Sequence, residues 1–358
     1  DDLTAQACAK AAKKALVLNP EALETMTAYF EKRGFELTRD NKKQAMLPAS
    51  AGVLVNHNGT APGFTICLEQ CTFYFMPGVP SEMKIMFEEA VKPKLSELSG
   101  PAREILIERL TVFGLPESRV GALLKGFKAK FPGMNLGFRA KFPLIEVKIV
   151  CPPKACVGMT ESVEGAWGRR DQSDTLEKQM AAAREWAISR LENKVISVRG
   201  QSLEQEVGQL LKEKNFTLAI AESCTGGLIS NLVTDVAGSS DYFLFSAVTY
   251  SNEAKMKVIG VAQKTLEVHG AVHEQTALEM AVGVKKAGNA DWGISTTGIA
   301  GPAGGTVDKP VGTVCIGIAG PGVESAKQYI FNFGNRARNK KMFAATALEV
   351  LRRRLKAY

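Results

Sequence analysis

Residues 216–236 read FTLAIAESCTGGLISNLVTDV, and this stretch decides how the rest of the chain is read. From Phe216 to Ile220 it is a short apolar run of the kind that forms a buried strand. It then breaks into Glu222-Ser223-Cys224-Thr225-Gly226-Gly227 and resumes helical spacing from Leu228 to Val236. A hydroxyl on such a strand-to-helix turn lies near free N–H groups and the positive helix end, which stabilise an alkoxide or a developing oxyanion. Two glycines let backbone or substrate approach closely. The same letters also describe an ordinary helix start capped by Ser or Thr, and the stretch alone leaves both readings open.

Around it, residues 197–358 alternate between strand and helix signals. Ser202-Leu203-Glu204-Gln205 is a capping-box pattern that opens a helix to about residue 214. Strands are expected over 241–250, 292–297, 312–319 and 326–333, helices over 273–287 and from Arg336 onward, and Asn252 is expected to cap the helix carrying Lys255. This is an α/β pattern with helices on both faces of the sheet. Ser223, Tyr250 and Lys255 each fall at or just past a strand end, and strand ends on one sheet edge converge on a pocket. A serine needs a base before it attacks. With only His57, His269 and His273 in the chain, a lysine made less basic by burial is the available base, and a tyrosine hydroxyl can relay the proton. Taken singly, Lys255 also reads as a solvated surface lysine and Tyr250 as a half-buried strand aromatic. Cys224 is a rival nucleophile, but neighbouring side chains on a turn point apart, so only one faces the pocket.

Upstream, residues 101–196 show a strand over 103–113, a helix over 116–130, a hairpin over 134–150 and a helix over 175–192. That β-α-β-β-α order predicts a small α+β module, and the aperiodic segment 151–174 is expected to be a long loop. Residues 1–98 form the first domain, with helices over 4–16 and 20–34 and an alternating strand over 65–75. Its loops NKKQAMLP, NHNGTAPGF and MPGVPSEM are rich in Asn, Gly, Thr and Pro and suit either a nucleotide pocket at a sheet edge or ordinary turns.

The composition bounds these readings. At 358 residues, 45% hydrophobic and 23% charged, the chain is a multidomain globular protein. No apolar run approaches the roughly 20 residues of a membrane span. Seven scattered cysteines without C-x-x-C spacing predict reduced thiols and a cytoplasmic setting. The first residues, Asp1-Asp2-Leu3-Thr4, carry no secretory signal, and the chain reads as beginning inside a domain. Net charge is +8; residues 331–358 hold eight Lys/Arg against one acid, Glu349. Without interleaved aromatics this reads as a solvated helix face plus one or two anion-binding residues, not a nucleic-acid surface.

The motifs AESCTGGLIS, VTYSNEAKMKVIGV, TTGIAGPAGG and KPVGTVCIGIA resemble, in order, those of the C-terminal domain of the CinA (competence/damage-inducible protein A) family. DDLT, NKKQAMLP, NHNGTAPGF and MPGVPSEM resemble its N-terminal, molybdopterin-binding-like domain. The resemblance implies a multidomain α/β protein: a partial molybdopterin-binding-like domain (1–98), a KH-like middle domain (101–196) and a three-layer α/β amidase domain (197–358). The middle domain has no G-x-x-G loop of the kind KH domains use to clamp RNA. The resemblance further implies hydrolysis of the carboxamide of nicotinamide mononucleotide to nicotinate mononucleotide and ammonia, without a metal. Ser223 is then the nucleophile and Tyr250 with Lys255 the base system. Thr225, Gly226, Thr297, Gly298, Ala300 and Arg336 line the substrate, and the protein is a homodimer. For the first domain it implies a pocket of Asp2, Asn41, Gln44, Asn56, Thr60, Gly78 and Glu82, with divalent-metal hydrolysis of ADP-ribose in some members. A βαβ half precedes DD in the family, so this domain is expected to lack central strands and that activity. Two positions depart from the family pattern, Asn335 in place of Asp and His273 in place of Ser, the latter a weaker helix cap. The competing reading is a nucleotide-sensing or regulatory protein without amidase activity.

Overall fold

The computed structural model describes residues 2–99, 105–152 and 170–358, with the side chains of 2, 99 and 170–175 outside that description. The chain forms two compact units, Asp1–Glu104 and Ile105–Tyr358.

In the first unit the helices Asp2–Ala11 and Pro20–Lys32 pack over Leu47, Phe64 and Ile66. Asn19 caps the second, accepting from the Ala22 N–H, with Pro20 at its first position. The helix expected over 4–16 stops earlier, because Lys13 turns left-handed (φ 52°) and Leu16–Leu18 pairs antiparallel with Met46–Pro48. The strand expected over 65–75 is a hairpin, Gly63–Leu68 with Cys71–Phe75, joined at Glu69 (φ 55°). Its alternation runs unbroken through the turn, so periodicity alone does not reveal the reversal. All strand pairs described in this unit are antiparallel.

The second unit contains two sheets. The first has four antiparallel strands, Leu106–Phe113, Asn135–Lys141, Leu144–Cys151 and Val195–Ser197, with Leu144–Cys151 and Leu106–Phe113 at its centre. Leu110, Val112, Val147 and Ile149 meet Ala183, Ala187 and Leu191 of the long helix Arg170–Leu191. The helix expected over 116–130 breaks into Glu117–Leu123 and Phe127–Lys130 around left-handed Gly126. Of the segment expected to be a loop, 153–169 lies outside the described residues, and the helix already begins at Arg170.

The second sheet is mixed, in the order Phe243–Val248, Leu218–Glu222, Trp292–Gly298, Thr313–Gly320, Val323–Ile330. Its first three strands are parallel and the last two antiparallel. Leu218–Glu222 is buried throughout and alternates between two cores. Leu218 and Ile220 face the helices Leu203–Glu213, Leu228–Thr234 and Arg336–Ala357; Ala219 and Ala221 face Asn252–Ile259 and Glu274–Ala287. Small residues on one face and large ones on the other thus set a three-layer α/β arrangement. The capping box at Ser202 and Gln205 forms as expected. Ser251, not Asn252, caps the helix that carries Lys255, by accepting from the Ala254 N–H at 3.0 Å. His273 caps its helix through Nδ1, 3.0 Å from the Gln275 nitrogen, so the ring replaces a hydroxyl in kind.

Candidate active site

The parallel strands fix the site by their carboxyl ends. The Ser223 N–H donates to the Thr296 carbonyl (2.9 Å) and the Thr249 N–H to the Glu222 carbonyl (2.8 Å), which ties three chain segments together at the edge of the sheet. Gly226 and Gly227, at φ +61° and +88°, then reverse the chain, a pair of left-handed turns that a side chain would strain. The Gly226 N–H closes the turn on the Ser223 carbonyl.

Neither Ser223 nor Thr225 caps the following helix. Its cap position is Gly227, and its first donors go to Glu222: the N–H groups of Ile229 (3.1 Å) and Ser230 (2.8 Å) and the Ser230 hydroxyl (2.7 Å) all meet that carboxylate. Glu222 is wholly buried, so the charge is matched by donors in place of water. The helix end expected to face an oxyanion is therefore occupied at those two groups. The Cys224 N–H lies within reach of its own thiol, and the Thr225 N–H has no partner among the described residues. The Thr225 hydroxyl is buried and bonds Thr296 (2.7 Å).

Alternation along the strand also separates the two rival nucleophiles. Ser223 continues the register of Ala219 and Ala221 toward the helix Asn252–Ile259, and the Nζ of Lys255 lies 3.2 Å from its Oγ. Cys224 belongs to the opposite apolar core, and burial pushes its thiol up to about 12, which leaves it protonated. Lys255 is 1% exposed. It bonds the carbonyls of Thr249 (2.9 Å) and Tyr250 (3.2 Å) and has no carboxylate within ion-pair distance among the described residues. Burial holds its ammonium below the ordinary lysine value, against a small opposing influence of Cys224. A neutral amine in this place has two N–H groups for the two carbonyls and a lone pair left for the serine proton.

Tyr250 enters this core through its carbonyl. Its side chain is exposed, and its hydroxyl accepts from Arg336 at 3.4 Å. Arg336 opens the last helix, where Asn335 caps by accepting from the Arg338 N–H, and its other terminal nitrogen donates to the Gly301 carbonyl at 2.6 Å. Thr297 is buried, with its hydroxyl on the Ala271 carbonyl; Gly298 lies against the backbone of Thr313, and the Ala300 carbonyl accepts from Asn339. The structure thus brings Ser223, Lys255 and the Tyr250 carbonyl into direct contact, with Arg336 joined to them through the Tyr250 side chain. Two groups escape sequence reading: Glu222, and Lys340, whose Nζ stands 3.5 Å from where a Cβ on Gly226 would be.

Of the residues expected to form a pocket in the first unit, Asn56, Thr60 and Glu82 come together, while Asn41 and Gln44 are engaged elsewhere. Buried Asn56 donates to the Glu82 carboxylate (2.7 Å) and the Ala61 carbonyl (2.8 Å), and Gly59 lies against Glu82 so closely that a Cβ would overlap it. Thr60 lines a small cavity beside Asn56. Asn41 is engaged in a capping box with Thr38. Gln44 faces a different cavity near Pro62 and Pro77. Gly78 is exposed, and the side chain of Asp2 lies outside the described residues. The two cavities measure about 30 and 10 Å³, room for water but not for a nucleotide. Among the described residues no disulfide forms, and no helix is long and apolar enough to cross a membrane.

Fold and site together define a multidomain α/β protein with a buried serine–lysine pair at the carboxyl ends of a mixed sheet. Residues 200–355 match the model of the CinA C-terminal domain, and residues 1–97 that described as "Probable molybdopterin binding domain". A CinA-like protein of Desulforapulum autotrophicum is 49% identical over 360 residues, spanning 99% of this chain and 81% of the relative. A CinA-like protein of Geobacter sulfurreducens is 40% identical over 356 residues, spanning 99% and 82%. The crystal structure of competence/damage inducible protein CihA from Agrobacterium tumefaciens is 37% identical over 43% of this chain and 93% of its own, with a TM-score of 0.42. The chain belongs to the CinA family.

Proposed function

We propose that the C-terminal domain is an amidase that hydrolyses the carboxamide of nicotinamide mononucleotide to nicotinate mononucleotide and ammonia. The observation that carries this reading is the buried Lys255, held 3.2 Å from Ser223 Oγ with no counter-ion among the described residues. Neutral Lys255 takes the Ser223 proton as Oγ attacks the carboxamide carbon. The negative charge that develops on the carbonyl oxygen meets the backbone N–H groups of Cys224 and Thr225. Lys255 then returns the proton to the departing nitrogen, which leaves as ammonia, and an ester to Ser223 remains. Water, deprotonated by Lys255, attacks that ester; the proton goes back to Ser223 and the carboxylate product is released. Serine and lysine supply nucleophile and base, so the proposed route needs no cofactor. Ammonia release from nicotinamide mononucleotide by the purified chain tests the reading. Tight binding of the nucleotide without ammonia release would favour a sensing role instead.

The nucleotide's phosphate needs a cation at the rim, and we assign that role to Arg336. Among the described residues its two hydrogen bonds go to uncharged oxygens, and no carboxylate pairs with it. Arg336→Ala is expected to lower kcat/KM on nicotinamide mononucleotide by about ten- to a hundredfold, the worth of a charge-assisted contact, with a much smaller effect on nicotinamide riboside. An equal loss on both substrates would assign Arg336 to holding the Gly301 loop.

ADP-ribose hydrolysis is not part of this reading. The donor set in the first unit does not fit a divalent ion, because Glu82 already takes the Asn56 amide and no group of three or more His, Cys, Asp or Glu side chains converges among the described residues. Turnover of ADP-ribose is expected to be absent with magnesium or manganese added, as chromatography for the products AMP and ribose 5-phosphate would report. Robust metal-dependent turnover would show that ligands come from residues outside this cluster.

A further inference from the structure

We infer that Lys340 is a second phosphate contact, and that together with Arg336 it makes the site selective for a phosphate monoester dianion; this rests on the amidase reading of the same site. Lys340 lies one helical turn after Arg336, and residues four apart share a helix face. Lys340 is half-buried, its ammonium stands beside the Gly226 turn, three residues from the nucleophile, and it has no hydrogen bond or ion pair among the described residues. Among the described residues, Arg336 on the same face is bonded only to a carbonyl and a phenol oxygen. The one acid in this segment, Glu349, is buried farther along the helix, where Arg352 and Arg353 take its oxygens (2.6 and 2.7 Å).

Two like charges on one helix face, with no ion pair to either among the described residues, repel each other until an anion arrives. A phosphate monoester carries about −1.5 to −2 charges near neutral pH and offers three acceptor oxygens, so it matches both cations at once. A carboxylate or a single exposed anion would match only one. The neighbouring Lys341 is exposed and belongs to the outer face of the helix, which makes it the natural control for a general field effect.

The test compares Lys340→Ala, Lys340→Arg and Lys341→Ala on nicotinamide mononucleotide and nicotinamide riboside, with calorimetry of inorganic phosphate as a readout independent of turnover. Lys340→Ala is expected to lower kcat/KM on the mononucleotide about ten- to a hundredfold, mostly through KM, and to leave the riboside unchanged. Lys340→Arg should restore most of the loss, and Lys341→Ala should change neither substrate. Phosphate should bind the unmutated chain and weaken in Lys340→Ala. No loss, an equal loss on both substrates, or the same loss in Lys341→Ala would overturn the inference. If the chain releases no ammonia yet Lys340→Ala still weakens phosphate, the amidase reading fails alone and the phosphate contact stands.

Discussion

Ser223→Ala is expected to lower amide hydrolysis by about three or more orders of magnitude while the domain stays folded. The magnitude follows from losing the nucleophile outright, since the remaining donors and binding contacts retain only a residue of catalysis. Folding should be little affected. The Ser223 hydroxyl has one mapped partner, Lys255, while its backbone bond to Thr296 is kept by alanine. Removing a partner from buried Lys255 leaves its two carbonyl acceptors in place. Cys224→Ser is the matching control: its thiol lies in the apolar core and should matter to packing, not to turnover. The measurement is single-turnover ammonia release, with near-ultraviolet circular dichroism to verify the fold. A dead Cys224→Ser beside an active Ser223→Ala would reverse the assignment of the nucleophile.

Lys255→Arg is expected to be almost as inactive as Lys255→Ala. The charge survives, but guanidinium does not give up its proton, and its planar fork does not fit an acceptor set built from two carbonyls and one hydroxyl. Comparable turnover in the arginine variant would mean that the residue contributes charge only. The pH dependence gives a second readout. With base catalysis by the amine, the rate should rise with pH along a limb whose midpoint lies below the ordinary lysine value of 10.5, because burial lowers this group. The same shift has a thermodynamic sign. The unfolded chain holds the lysine proton more tightly than the folded one, so the penalty of burying Lys255 is fully present below its folded value. It disappears as pH rises toward 10.5. Relative to Lys255→Met, the unmutated protein should therefore gain stability across that alkaline window, as chemical denaturation would report. A gap that stays constant with pH would mean that Lys255 is not shifted.

Much of this site is legible in the sequence because strand ends obey a simple geometry. The run up to Ile220 identifies a buried strand, and the break at Glu222–Gly227 locates its carboxyl end. The scarcity of histidine then directs attention to Lys255. What escapes is long-range partnering. Tyr250 has the right position but offers the core its carbonyl, and nothing in its neighbours reveals that its ring turns outward to Arg336. Glu222 looks like a solvated acid in a polar turn. The available signal is its period-two register with Leu218 and Ile220, which points it at the helix that it caps. Lys340 is hidden among eight cations, and only its four-residue spacing from Arg336 singles it out. In the first unit, polar loops read equally well as pocket or turn, and there Asn41 and Asn56 spend their hydrogen bonds on the fold.

The final helix buries Phe343, Leu348 and Leu351 in the main core and presents Arg336 and Lys340 from its opening turns. Ser223 and Lys255, in contrast, are set by a strand end and a different helix on the far side of the sheet. Bond-breaking and ligand choice are thereby carried by separate pieces of chain. Exchanges at 336 and 340 can retune which anion is accepted without disturbing the serine–lysine spacing, so descendants of this fold are free to change diet while keeping their chemistry.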